Sequence, residues 1–173
     1  TNTGSQTLSY EISMAELRNS LASATLGSAK VDRNISGSTL TLDAVEYTPG
    51  TTQDWTFTVY NGSTDTEWLK DVIVTFPTGV TVNSITNFVG GSGGELVPDN
   101  TSGNGITIDW NGESSNGYGL IQSGQTATAT VNVSIAPAFS GTMSLPFQIV
   151  GDVWGAEPHT ISGTLTVAQA IPP

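Results

Sequence analysis

Between Gln53 and Val80 the chain reads QDWTFTVYNGSTDTEWLKDVIVTFPTGV, and its apolar residues return at every second position. Trp55, Phe57 and Val59 alternate with Asp54, Thr56 and Thr58. Beyond a polar turn at Asn61-Gly62, Trp68, Lys70, Val72, Val74 and Phe76 alternate with Leu69, Asp71, Ile73 and Thr75. Successive strand side chains point to opposite faces, so a period of two is what a sheet packed on a core requires, and a helix cannot sort these residues onto one side. Pro77 has no N–H to give to a ladder and ends the second strand.

The same rhythm runs from Thr39 to Val167. Leu40, Leu42 and Ala44 are in phase and Val45 and Tyr47 fall out of it, which predicts a bulge or bend near Ala44. Val80 to Phe88 is a weaker strand, and Ile106, Ile108 and Trp110 mark another. Ala127, Ala129, Val131, Val133 and Ile135 give the cleanest alternation, followed by Leu145, Phe147 and Ile149 and by Ile161, Leu165 and Val167. The runs Gly90 to Gly105 and Asn111 to Gly119 read as loops, the first with a short strand at Glu95 to Val97. Eight or nine strands at a spacing of about ten residues predict a sandwich or barrel. The absence of a βαβ rhythm excludes doubly wound parallel folds. The expected fold is therefore all-β, an antiparallel immunoglobulin-like β-sandwich, with jelly-roll closure as the second choice that periodicity alone does not separate.

A helical period occurs once, where Met14, Leu17 and Leu21 recur behind a Ser13/Glu16 capping box, so a short helix over 14–26 is one reading. A Thr7–Ile12 strand with an irregular crossover is the other. Residues 1–7 and 170–173 read as linker stubs around a single domain, 8–169.

Composition narrows the function classes. Fifteen acidic and four basic residues give a net charge of −11, which repels phosphate backbones and anionic lipid, so nucleic acid and membrane insertion are not expected. No apolar run approaches the roughly 18 residues of a spanning helix. The lack of cysteine removes disulfides, thiolate zinc sites and thiol nucleophiles. Charged residues make up 11% of the chain, against about 25% in an average domain. Solubility rests instead on Thr, Ser, Asn and Gly, a palette that suits secreted and cell-surface β modules.

Two runs carry a resemblance. FTVYNGSTDTEWLKDVIVTFPTGVTV resembles the Ig-like modules of large secreted bacterial and archaeal proteins. LPFQIVGDVWGAEPHTISGTL, with Gly151-Asp152, Gly155 and Pro158-His159, is similar to the last hairpin of such modules in secreted Bacteroidetes-type multidomain proteins. The resemblance implies an accessory module beside peptidase or adhesin domains, with neighbouring domains of a larger protein as partners and no activity of its own. It does not extend to 14–26.

The candidate site residues divide by phase. Trp55 and Trp110 are in line with core positions and are expected to be buried, while Trp68 sits at a strand entry where either face is open to it. Trp154, in the Gly-flanked turn 151–155, and Tyr118, in a second Gly-flanked loop, are the candidate ligand-binding aromatics, since indole and phenol faces stack on sugar rings. Calcium is the expected cofactor if there is one, because Asn61, Asp65, Glu67 and Asp71 put hard oxygen ligands in or beside one turn. No EF-hand spacing supports it, and Asx side chains also cap turns through their own backbone. His159 is the sole histidine, and the chain has no Gly-x-Ser-x-Gly elbow, so His159 is expected to be structural. The expected function is a non-catalytic spacer, stabiliser or adhesion surface of a secreted or cell-surface protein. The alternative is a carbohydrate-binding module with structural calcium.

Overall fold

The structure, a computed structural model, describes residues 34–63, 66–154 and 157–171. In chain order the strands are β1 (Thr39–Leu42), β2 (Glu46–Tyr47), β3 (Thr52–Tyr60), β4 (Leu69–Thr75), β5 (Val80–Ile85), β6 (Val97–Pro98), β7 (Gly103–Asn104), β8 (Thr107–Asn111), β9 (Thr126–Ile135), β10 (Met143–Gly151) and β11 (Thr160–Gln169). One sheet has the order β1-β3-β9-β5-β7 and the other β2-β11-β10-β4-β8-β6. All pairings are antiparallel except β2 with β11. This is the immunoglobulin-like sandwich that the alternation predicts. The candidate helix at 14–26, the alternative strand at Thr7–Ile12 and the stub 1–7 lie outside the described residues.

Among the described residues eleven strands replace the eight or nine expected, because β2, β6 and β7 are two residues each and too short to show a period. Of the bulge or bend expected near Ala44 the structure has the bend, at Asp43 and Val45, and it carries the chain from one sheet to the other. β1 pairs with β3 in one layer, while β2 joins β11 in the other. A chain that crosses between layers must reverse which parity points inward, so Leu40 and Tyr47 are both buried although they fall on opposite phases. The segment 90–105, expected as loop with one strand, carries both β6 and β7. At the C-terminal end the pairing runs one residue past β11, with the Ala170 N–H donating to the Tyr47 carbonyl at 2.8 Å.

The core lies between the sheets. Trp55, Phe57 and Val59 of β3 and the apolar row of β9 come from one layer; Val72 and Val74 of β4, Ile108 and Trp110 of β8, and Met143, Leu145 and Ile149 of β10 come from the other. Phe57 pairs with Ala129 across the ladder, and that small neighbour leaves room for rings from the opposite sheet. Phe57 meets Trp110 at 6.1 Å and Phe76 at 6.2 Å, and Phe88 meets Trp110 edge-on at 5.1 Å. A buried indole also needs a hydrogen-bond partner. Trp110 Nε1 donates to the Thr86 carbonyl at 2.9 Å and Trp55 Nε1 to Gln53 Oε1 at 3.0 Å. Both tryptophans are therefore core residues, as their phase requires.

Truncating Trp110 removes contacts with both sheets and orphans the Thr86 carbonyl. Trp110→Ala is expected to cost about 3–5 kcal/mol in urea unfolding, whereas the exposed Trp154→Ala should stay within about 0.5 kcal/mol of the parent.

Candidate functional site

Three connections meet at one end of the sandwich: 61–68 between β3 and β4, 112–125 between β8 and β9, and 152–159 between β10 and β11. Asn61 organises the first two. It is fully buried, and its Nδ2 donates to the Glu67 and Ile121 carbonyls at 2.9 Å each. Its Oδ1 accepts from the Ser63 N–H at 2.9 Å and from Ser38 Oγ at 3.4 Å. Its backbone N–H donates to the Gln125 carbonyl, and its carbonyl accepts from the Gly124 N–H. The residue after it must be glycine, since a Cβ on Gly62 would lie 2.3 Å from the Gly37 backbone.

Asp152 is the second organiser. It is 2% exposed. Its N–H donates to the Trp68 carbonyl at 3.0 Å, Oδ2 accepts from the Gly119 N–H at 3.4 Å, and Oδ1 accepts from the Trp154 N–H at 3.2 Å. One carboxylate thus ties the turn that carries Trp154 to the loop that carries Tyr118. The aromatic consequence is a row: Trp68 lies 5.6 Å from Tyr118, and Tyr118 lies 5.5 Å from Trp154, with interplanar angles of 48° and 32°. Trp154, at 49% exposure, is the outermost ring. The two aromatics singled out by sequence are therefore brought together, and Trp68 joins them.

Beneath the row lies an acid–imidazole pair. Glu67 is fully buried, and its Oε1 stands 2.7 Å from His159 Nδ1. Burial pushes the Glu67 carboxyl above the ordinary carboxylate range; the His159 hydrogen bond and charge oppose that rise and Asp152 adds to it. Oε2 is buried without a well-formed hydrogen bond among the described residues, and the Val153 amide exerts only the smallest pull on it. The carboxylate fits because residue 151 has no side chain; a Cβ on Gly151 would lie 2.1 Å from Glu67 Oε1. His159 Nε2 lies 4.0 Å from Glu157 Oε1, so both ring nitrogens look toward carboxylates.

Three of the four residues expected to hold calcium, Asn61, Glu67 and Asp71, are described. Asn61 and Glu67 are adjacent, but Asn61 Oδ1 is already taken by two donors. Asp65 lies outside the described residues. Asp71 is on the face of β4 opposite the buried Val72, paired with Asn111 of β8. No group of three Asp, Glu or His side chains among the described residues is placed to hold a metal ion. Asp71 instead belongs to an acidic patch with Asp99 and Asp109. Burial, then the neighbouring Asp71 and Asp99 charges, push Asp109 up to about 6, and its Oδ1 is buried without a partner. Sequence phase placed Asp109 on the outer face, but neither its burial nor the approach of Asp99, whose carboxylate accepts the Asp109 N–H at 2.9 Å, is visible in a linear pattern.

No family model and no curated protein matches the chain. Among solved structures, the N-terminal domain of the Streptococcus gordonii adhesin Sgo0707 is similar at 12% identity and a TM-score of 0.50, over 77% of this chain and 32% of that one. A Nocardia farcinica protein described as having an immunoglobulin-like fold is similar at 21% identity and a TM-score of 0.46, over 75% of this chain and 97% of that one. A non-cellulosomal cohesin from Archaeoglobus fulgidus gives 18% identity and a TM-score of 0.46, over 76% and 91%. At such identities the likeness extends to the fold alone; that the chain is an immunoglobulin-like β-sandwich rests on its own two-layer strand order.

Asp109 sets a pH dependence whose sign is fixed. Its folded pKa is raised, so ionisation works against folding; the penalty is absent below the unfolded value and complete above about 6. Asp109→Asn is expected to leave stability unchanged near the unfolded carboxylate pKa of about 4 and to raise it by about 1 kcal/mol at neutral pH, a figure reduced for solvent screening. Urea titrations across that pH range check it.

Proposed function

We propose that this sandwich is a non-catalytic interaction module of a secreted or cell-surface protein, and that its binding surface is the loop end bearing Trp68, Tyr118 and Trp154. The observation that carries the reading is the aromatic row itself. Three rings from three separate loops are in successive contact, with the outermost half exposed. Rings held in place by backbone hydrogen bonds lose little further freedom when a partner binds, which favours affinity. Loops on a rigid scaffold are the usual place for such a surface.

Several features support a binding role over catalysis. The only imidazole is held by Glu67, and no hydroxyl nucleophile contacts it among the described residues. The fold likeness to an adhesin domain accords with an extracellular interaction role beside further domains of a larger protein, including the Bacteroidetes-type setting that the C-terminal hairpin resembles. No described helix is long and apolar enough to cross a membrane.

A second reading, carbohydrate binding with structural calcium, is favoured by one detail. The Tyr118 and Trp154 rings are inclined by only 32°, an arrangement that can follow the face of a sugar chain. Retention of the protein on immobilised polysaccharides and glycoproteins is expected to fall about tenfold or more in Trp154→Ala, with the melting temperature unchanged. Retention equal to the parent's would remove the aromatic row from the binding surface. For calcium, Glu67 Oε2 is the oxygen of the expected set that is buried without a hydrogen-bond partner among the described residues. A metal bound only by the folded state raises its stability, so a melting temperature that drops on chelation supports the site and one that does not move eliminates it.

A further inference from the structure

Beyond β2, the lateral edge of the six-stranded sheet is formed by β11, and among the described residues most of it has no strand paired to it. β2 covers only the C-terminal end of that edge, where the Ala168 N–H donates to the Val45 carbonyl and the Ala170 N–H to the Tyr47 carbonyl. Backbone direction in a strand alternates with the residue. The N–H and C=O groups of Ser162, Thr164 and Thr166 therefore point out along the same edge, while Ile161, Gly163 and Leu165 face β10. Among the described residues no strand pairs with the edge from Thr160 to Thr166.

Sheet edges of this kind are ordinarily blunted by lysine, proline, a bulge or brevity. The other outer edges here follow that rule: β1 has four residues and runs into Asp43, while β6 and β7 have two residues each and contain Pro98 and Gly103. β11 follows none of it. It is ten residues long, TISGTLTVAQ, without proline or charge, and its register against β10 is unbroken. Its neighbour β10, MSLPFQIVG, is also uncharged. Fifteen acidic and four basic residues are distributed over the chain, and none falls on these two strands.

We propose that β11 is a self-association edge, at which a second copy of this chain adds its own β11 antiparallel across a two-fold axis near Thr164. The charge pattern selects this occupant. A basic segment, the natural partner for a chain of net charge −11, finds no carboxylate on β10 or β11, whereas two copies meeting there bring no like charges of these strands together. The sequence is also self-complementary about Thr164: Thr164 faces its twin and Ser162 faces the partner's Thr166, so the outer row becomes a hydroxyl ladder of a kind that stabilises sheets. On the inner side, the partly buried Ile161 and Leu165, which pack against the core, are covered further. The contact is isologous and closes at two copies. The aromatic loop end plays no part in it.

Sedimentation velocity of the full chain over a wide concentration range tests the proposal. A reversible monomer–dimer equilibrium is expected, stronger at high salt because the net −11 of each copy is screened. Thr164→Pro fits the monomer, since the lost N–H points outward, and should abolish the dimer without lowering the melting temperature. Thr164→Lys and Thr164→Glu should each be monomeric alone and form a mixed dimer when combined at low salt, which keeps the test decisive if the proline variant misfolds. A monomer at every concentration, an association that weakens with salt, one unchanged in Thr164→Pro, or the absence of a mixed dimer would each overturn it.

Discussion

Trp110 joins the two layers in two ways, and the sandwich is organised around that double attachment. Its ring packs between Phe57 of the opposite sheet and Phe88, while its indole N–H is spent on the Thr86 carbonyl just beyond β5. Dispersion alone would hold the layers together without fixing their lateral placement. The added directional bond ties a β8 side chain to the backbone of the other layer, and Trp55 with Phe76 extends the ring stack toward the far side of the core. Because the chain has no disulfide, this packed aromatic column has the role that a covalent staple has in many small extracellular domains.

The loop end follows a different rule. Apolar burial is replaced there by a few polar side chains that bond to backbone: Asn61 to two connections and Asp152 to two. Buried polar groups that are satisfied rigidify a region, and the cost of leaving one unsatisfied keeps the arrangement unique. Glu67 departs from this pattern, with one oxygen given to His159 and the other without a hydrogen-bond partner among the described residues.

The long strands were legible because each has enough residues to show a period, and the phase of Trp55 and Trp110 announced their burial. Three things were not. A change of layer and a bulge leave the same signature at Ala44, because both shift parity by one. Two-residue strands carry no periodicity. The third is convergence of loops: Tyr118 and Trp154 drew notice for their glycine neighbours, but nothing linear shows that Asp152 bonds to both their loops or that Trp68 turns toward them instead of into the core. Asn61 and Glu67 stood out as oxygen donors, and their use as backbone anchor and imidazole partner depends on residues far away in the chain. Asp71 was grouped by proximity in sequence with a turn whose far side it occupies.

The crossing between β1 and β2 has a mechanical corollary. β2 and β11 run in the same direction, side by side, where the described chain leaves the sheet. Tension that reaches β2 through β1 and β11 through Ile171 pulls the two strands past one another. The bonds from Ala168 and Ala170 are then loaded together, in shear, and do not unzip in turn. A tether built from such units would yield abruptly at that short clasp, with the rest of the sandwich still intact at the moment of release.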